Sequence, residues 1–145
     1  MTSKIYCVNI EEETLKNTNF RKVLYTTKNL QLVIMSIEPK DNIPRELHND
    51  HDQFIRIESG EGEAVITDDS NNILEKHPLK DGISIIIPAN TWHEIKNISE
   101  IKPLKLYSLY SPPEHPPGRI DITKGKPQIG GTNKIYKIKN KYDII

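Results

Sequence analysis

Turn residues recur too often along this chain for it to fold into long helices. Between residues 21 and 111, short runs rich in Ile, Val, Leu, Tyr and Thr alternate with clusters of Gly, Pro, Asn, Asp and Ser. "RKVLYTT", "LQLVIMSIE", "QFIRIE", "AVIT", "ILEKH", "ISIII", "WHEIKN" and "LKLYSLYS" are separated by turns such as "KN", "ESGEGE", "DDSNN" and "PANT". Strands this short bury their apolar faces only by stacking as a sandwich or closing into a barrel. The expectation is an all-β fold. The opening "KIYCVNI" reads as one more strand, with Cys7 as a small apolar residue inside it. "EEETLKNTNF" is the one helical segment. Asn9 stands where an N-cap belongs, and Glu11, Glu12 and Glu13 suit the positive end of a helix dipole. Pro39 and Pro44 bracket "KDNI" as a loop, with extended segments at 45–49 and 53–58 and "NDHD" turning between them.

Size and charge narrow the function. A chain of 145 residues fits one domain, and 20 basic residues balance 20 acidic ones. That neutrality argues against nucleic acid or an anionic membrane as partner and leaves small molecules and other proteins. No apolar run approaches the ~20 residues of a spanning helix. "MTSKIYCVNIEEE" carries no signal pattern, and a single cysteine allows no internal disulfide. The expected location is cytoplasmic. The final residues, 119–145, change character: "ITKGKPQIGGTNKIYKIKNKYDII" is Gly/Pro-punctuated, then alternates apolar residues with lysines. An edge strand, an arm around a second subunit and a loose tail all fit that pattern. The main domain is expected to occupy 1–118.

The segment that carries chemistry is "IPRELHNDHDQFIRIESGEGEAVI". It is either half of a metal site or an acidic loop that happens to hold histidines. On a strand, residues i and i+2 share a face, so Glu46 and His48 project together. Gln53 shares a face with Ile55 and Ile57 on the next strand, and a hairpin brings it beside them. His93 follows the turn "PANT" and shares a face with Ile95 and Asn97. Two imidazoles with two oxygen donors suit a borderline divalent metal (Zn, Fe, Mn, Ni or Co) and not Ca²⁺. We therefore expect one divalent metal ion held by Glu46, His48, Gln53 and His93. Arg45 and Arg56 alternate away from that face, so neither supplies a phosphate clamp. His51 lies in the turn, where a histidine is ordinarily solvent-exposed. It is the nearest candidate for a catalytic base, with Glu94 and His115 further off. Trp92 falls on the face opposite His93, as a packing or dimer residue, and either Tyr107 or Tyr110 turns inward.

These residues resemble the cupin superfamily. Its first motif is Gly, five residues, His-x-His, three or four residues, Glu, six residues, Gly. Gln53 and Gly60 reproduce the second half, and counting back places the two histidine positions at Glu46 and His48. The second motif, Pro-x-Gly, two residues, His, three residues, Asn, is matched by Pro88, Asn90, His93 and Asn97. The resemblance spans roughly residues 30–112. It implies a cupin-type double-stranded β-helix (a jelly-roll barrel), here preceded by one short helix, with a metal inside and often a homodimer. "ELHNDHDQFIRIESGEG" also resembles small single-domain cupins described as mannose-6-phosphate isomerase-like. Type I phosphomannose isomerases, themselves cupins, use Gln, Glu and two His on zinc, which is the same donor set in another order. The resemblance leaves three functions open: a sugar or sugar-phosphate isomerase, a non-haem iron dioxygenase, or a non-catalytic barrel that captures a small ligand.

Overall fold

A computed structural model describes residues 4–129. Its elements are α1 (Ile10–Lys16) and strands β1 (Arg21–Thr26), β2 (Gln31–Ile37), β3 (Asn42–Glu46), β4 (Asp52–Ser59), β5 (Glu61–Thr67), β6 (Ile73–Lys80), β7 (Ser84–Ile87), β8 (Trp92–Asn97), β9 (Leu104–Ser111), β10 (Ile120–Thr123) and β11 (Lys126–Ile129). They form two sheets. One runs β11-β10-β1-β2-β9-β4-β7 and the other β3-β8-β5-β6, with every pairing antiparallel. This is a mostly-β, two-sheet fold with one short N-terminal helix: the strand spacing anticipates the all-β class, and the motif resemblance implies the barrel-like arrangement.

The alternation in the sequence becomes the core. Val33, Met35 and Ile37 of β2 lie opposite Ser108, Leu106 and Leu104 of β9, which in turn face Ile55 and Ile57 of β4. Ala64 of β5 and Ile95 of β8 close the core from the second sheet. Ile55, Ile57, Ile95, Leu104 and Leu106 have no exposed surface, and each contributes about 1.5–3 kcal/mol through burial. Between β4 and β5 the chain reverses at Gly60, where φ is +96° and a Cβ would stand 2.5 Å from the Pro103 carbonyl oxygen. No other residue fits there.

The helix forms where its cap predicts: the Asn9 side chain accepts a 2.9 Å hydrogen bond from the Glu12 amide. Two local expectations fail. Residues 4–9 form no strand, and Cys7 is exposed. Both flanks of β1 are already taken by β2 and β10, so the segment lies alongside without a ladder, held by stacking of Tyr6 on Tyr25 at 4.7 Å and a Tyr25 hydroxyl bond to the Lys4 carbonyl. The second failure concerns the loop expected over 40–43 and the extended segment expected over 45–49: β3 begins already at Asn42, runs through Pro44 and stops at Glu46. Proline is tolerated because β3 is a sheet edge and the β3–β8 register shifts between Ile43 and Glu46.

Beyond residue 118, β10 pairs with β1, and β11 with β10, so part of the terminal extension lengthens the larger sheet. The lysine-alternating segment after it lies outside the described residues. Among the described residues, no helix is long and apolar enough to cross a membrane.

Candidate metal centre

The chemistry-bearing side chains gather at one end of the strands: the end of β3, the starts of β2, β4 and β8, and the end of β9. The antiparallel registers bring them together, since Glu46 lies opposite His93, Gln53 opposite Tyr110, and Gln31 opposite Tyr110 on the other flank. Asn90 takes φ +64° in the turn before His93, the left-handed conformation that its motif position assigns to glycine.

Three of the four expected ligands converge. Glu46 Oε1 lies 3.1 Å from His48 Nε2 and 3.6 Å from His93 Nε2. The other ring nitrogen of each histidine is engaged elsewhere. His93 Nδ1 donates to the Thr91 carbonyl at 2.8 Å, and His48 Nδ1 lies 3.3 Å from Glu114 Oε2. This is how metal-binding imidazoles are held, with one nitrogen anchored and the other turned inward. With His93 Nδ1 turned to that carbonyl, its buried Nε2 faces the Glu46 carboxylate and has no hydrogen-bond partner among the described residues. A buried ring nitrogen left without a partner beside a carboxylate is the arrangement that a bound cation would satisfy.

Gln53 is 2% exposed and sits in the same end of the barrel. Its amide nitrogen donates to Ser108 Oγ at 3.2 Å and to the Tyr110 hydroxyl at 3.0 Å, leaving Oε1 buried without a partner among the described residues. Tyr110 therefore turns inward, with its ring edge-on to His48 at 5.8 Å, while the half-buried Tyr107 pairs with Phe54.

Electrostatics fit the same picture. Burial alone would raise the Glu46 carboxyl, but the His48 and His93 imidazoles beside it outweigh burial and bring the pKa down to about 2. Burial alone would lower His48, yet Glu114 and Glu46 raise it to about 9. In the metal-free protein the protonated His48 ring thus faces Glu46 through Nε2 and Glu114 through Nδ1, and a divalent ion would take the place of the Nε2 proton.

His51 departs from expectation. It is 3% exposed rather than open to solvent. Its Nδ1 lies 2.9 Å from Asp50 Oδ1, its ring is 4.3 Å from that of His48, and its Nε2 lies 2.6 Å from Glu114 Oε2, though out of hydrogen-bond alignment. It folds inward because Asp52, the next residue, pairs with Ser111 of β9, so the chain that follows β9 covers it. That following segment delivers Glu114, the site residue that motif reasoning missed. Burial alone would raise the Glu114 carboxyl, but the His48 and His51 imidazoles against it hold it well below the usual carboxylate range. Among the described residues, two groups of side chains could hold a metal ion: Glu46, His48 and His93, and His48, His51 and Glu114.

The other sequence candidates lie elsewhere. Glu94 accepts a bond from Asn42 on the outer face of β8. His115 is driven well below its usual range by burial and by Arg21, so it is neutral, and its ring meets Tyr110 edge-on at 5.3 Å. Arg45 stacks on Trp92 at 4.0 Å and bonds Thr67 and Asp68; Arg56 pairs with Glu58. Trp92 donates its indole N–H to Asp69 at 3.0 Å.

A two-sheet β fold with histidines and carboxylates clustered at one end of its strands defines the class. The cupin-domain family pattern matches residues 33–110, and the chain belongs to that family. It is 47% identical over 148 residues to uncharacterized protein L612 of Acanthamoeba polyphaga mimivirus, covering 97% of this chain and 89% of that protein. It is 39% identical over 121 residues to uncharacterized protein YrkC of Bacillus subtilis, covering 83% of this chain but only 64% of YrkC. The crystal structure of BH2720 from Bacillus halodurans superimposes with a TM-score of 0.80 at 41% identity, covering 83% of this chain and 91% of that one.

Proposed function

We propose that this cupin binds one divalent metal through Glu46, His48, Gln53 and His93, and uses it in an isomerase-type reaction on a small polyhydroxylated substrate such as a sugar. The observation that supports this most is the pair of inward-facing Nε2 atoms directed at the single carboxylate of Glu46. A metal held there would polarise a carbonyl or grip adjacent hydroxyls. The rest falls to the chain itself. His51, buried next to His48 and braced by Asp50, is placed to carry a proton between neighbouring carbons, and Glu114 lies against its Nε2. Tyr110, whose hydroxyl accepts from the Gln53 amide nitrogen, forms the wall behind the site.

One observation favours a second reading. Two histidines and one carboxylate at a single point is also the donor set of non-haem iron oxygenases. Metal analysis of the untagged protein, followed by substrate tests in D₂O, separates the two. About one equivalent of metal, absent from His48→Ala, with deuterium entering carbon-bound positions of an aldose or ketose, is the expected result. Iron with oxygen consumption and no deuterium uptake would favour the oxygenase. Metal-free protein even after reconstitution would leave a ligand-capturing barrel.

A further inference from the structure

Glu114 lies outside both motifs and outside the two-sheet core, yet it touches both histidines of the first half-site. The carboxylate is 3.3 Å from His48 Nδ1 and 2.6 Å from His51 Nε2. Its segment is pinned rather than loosely draped. The fully buried Gln31, at the start of β2, accepts from the amides of Glu114 at 3.1 Å and His115 at 2.8 Å. Its own amide nitrogen donates to the His115 carbonyl at 2.7 Å and to Thr26 Oγ1 at 2.9 Å. Those four bonds use both donors and both acceptor positions of the Gln31 amide. A glutamine so fully committed to a backbone segment fixes where the intervening carboxylate can reach.

We propose that Glu114 is a positioning residue for the metal centre: latched by Gln31, it takes the Nδ1–H of His48 and so turns Nε2 toward Glu46 and His93. The inference rests on the metal reading above. It accounts for what the Glu46–His48 pair alone leaves open, because an unanchored imidazole can rotate and present either nitrogen. His93 has its anchor in the Thr91 carbonyl; Glu114 is the matching anchor for His48. Carboxylates in this role raise the basicity of the ligand and fix its tautomer, and losing one typically weakens metal binding by roughly 10- to 100-fold.

The test is Co²⁺ titration of the metal-free full-length protein, read by visible absorption and by competition with a chelator. Wild type is compared with Glu114→Ala and Glu114→Gln, and the metal-free melting temperature is measured for each. Affinity should fall roughly 10- to 100-fold in Glu114→Ala. It should recover largely in Glu114→Gln, whose amide oxygen still accepts the Nδ1–H, and a shifted absorption band in the alanine variant would report the loosened imidazole. A purely structural role would lower the melting temperature and leave affinity and spectrum unchanged, which overturns the proposal. So would a second bound Co²⁺ that disappears with Glu114, since the residue would then be a ligand itself. Wild type that binds no Co²⁺ would remove the metal reading and this inference with it, whereas wild type that binds while Glu114→Ala binds equally well removes only the inference. Should the alanine variant fail to fold, histidine ¹⁵N spectra of Zn²⁺-loaded wild type decide the matter. Metal on Nε2 of His48 with a proton on Nδ1 is expected, and metal on Nδ1 would overturn the proposal.

Discussion

Glu114 Oε2 stands 3.3 Å from His48 Nδ1, on the opposite side of the ring from Glu46. A single imidazole therefore lies between two carboxylates brought from distant parts of the chain, one on β3 and one beyond β9. Most of what can be tested about this protein follows from that arrangement.

Removing either inward imidazole should abolish metal binding without unfolding the barrel. His48→Ala and His93→Ala each delete one donor facing Glu46 while leaving the apolar core untouched. Elemental analysis should find less than a tenth of the wild-type metal (about 1.4 kcal/mol per tenfold loss of affinity), with far-ultraviolet circular dichroism unchanged. His51→Ala, whose Nε2 faces Glu114 instead of Glu46, should retain metal but lose turnover.

The metal-free protein should lose stability toward alkaline pH. His48 is raised from 6.5 to about 9 in the folded state, so its contribution is complete below about pH 6.5 and is lost as pH climbs through about 9. Glu46 is lowered from 4.5 to about 2, so its contribution is present above about pH 4.5 and is lost as pH drops through about 2. Thermal melts in chelator should peak between those windows, and His48→Gln should flatten the alkaline limb. If the His48→Gln curve kept the wild-type alkaline slope, another group would be responsible.

Gln31→Leu should destabilise the fold by about 2–4 kcal/mol, because the part-buried amides of Glu114 and His115 lose their acceptor. Denaturant unfolding reads the change, and metal affinity should fall in parallel as the segment bearing Glu114 comes loose.

Gly60→Ala should cost about 3 kcal/mol or more. The added Cβ meets the Pro103 carbonyl at 2.5 Å in a left-handed backbone. Gly82→Ala, with an equally positive φ but open space around it, should cost about 1–2 kcal/mol. Comparing the two melts separates contact from backbone conformation.

Much of the architecture was legible in the residues alone. Period-two patterning in "LQLVIMSIE", "QFIRIE" and "LKLYSLYS" marks strands because one face must be buried, and Asn9 and the glutamates mark the helix start for purely local reasons. The spacing of Glu46, His48 and Gln53 on one side, and Asn90 and His93 on the other, likewise names side chains that the fold brings to the same end of the strands. Local periodicity determines which face a residue takes and which turns are possible. Three-dimensional pairing settled the rest. Cys7 lies exposed because β2 and β10 had already claimed both flanks of β1, and Pro44 sits in a strand because β3 is an edge. His51 is buried, and Glu114 meets His48, because Asp52 pairs with Ser111 and carries the chain after β9 across the site. The sequence by itself determined strands, turns and the motif donors, since those depend on neighbours a few residues away. Only the tertiary structure decided which carboxylate braces which imidazole, since that depends on the register between β4 and β9, strands joined by no local signal.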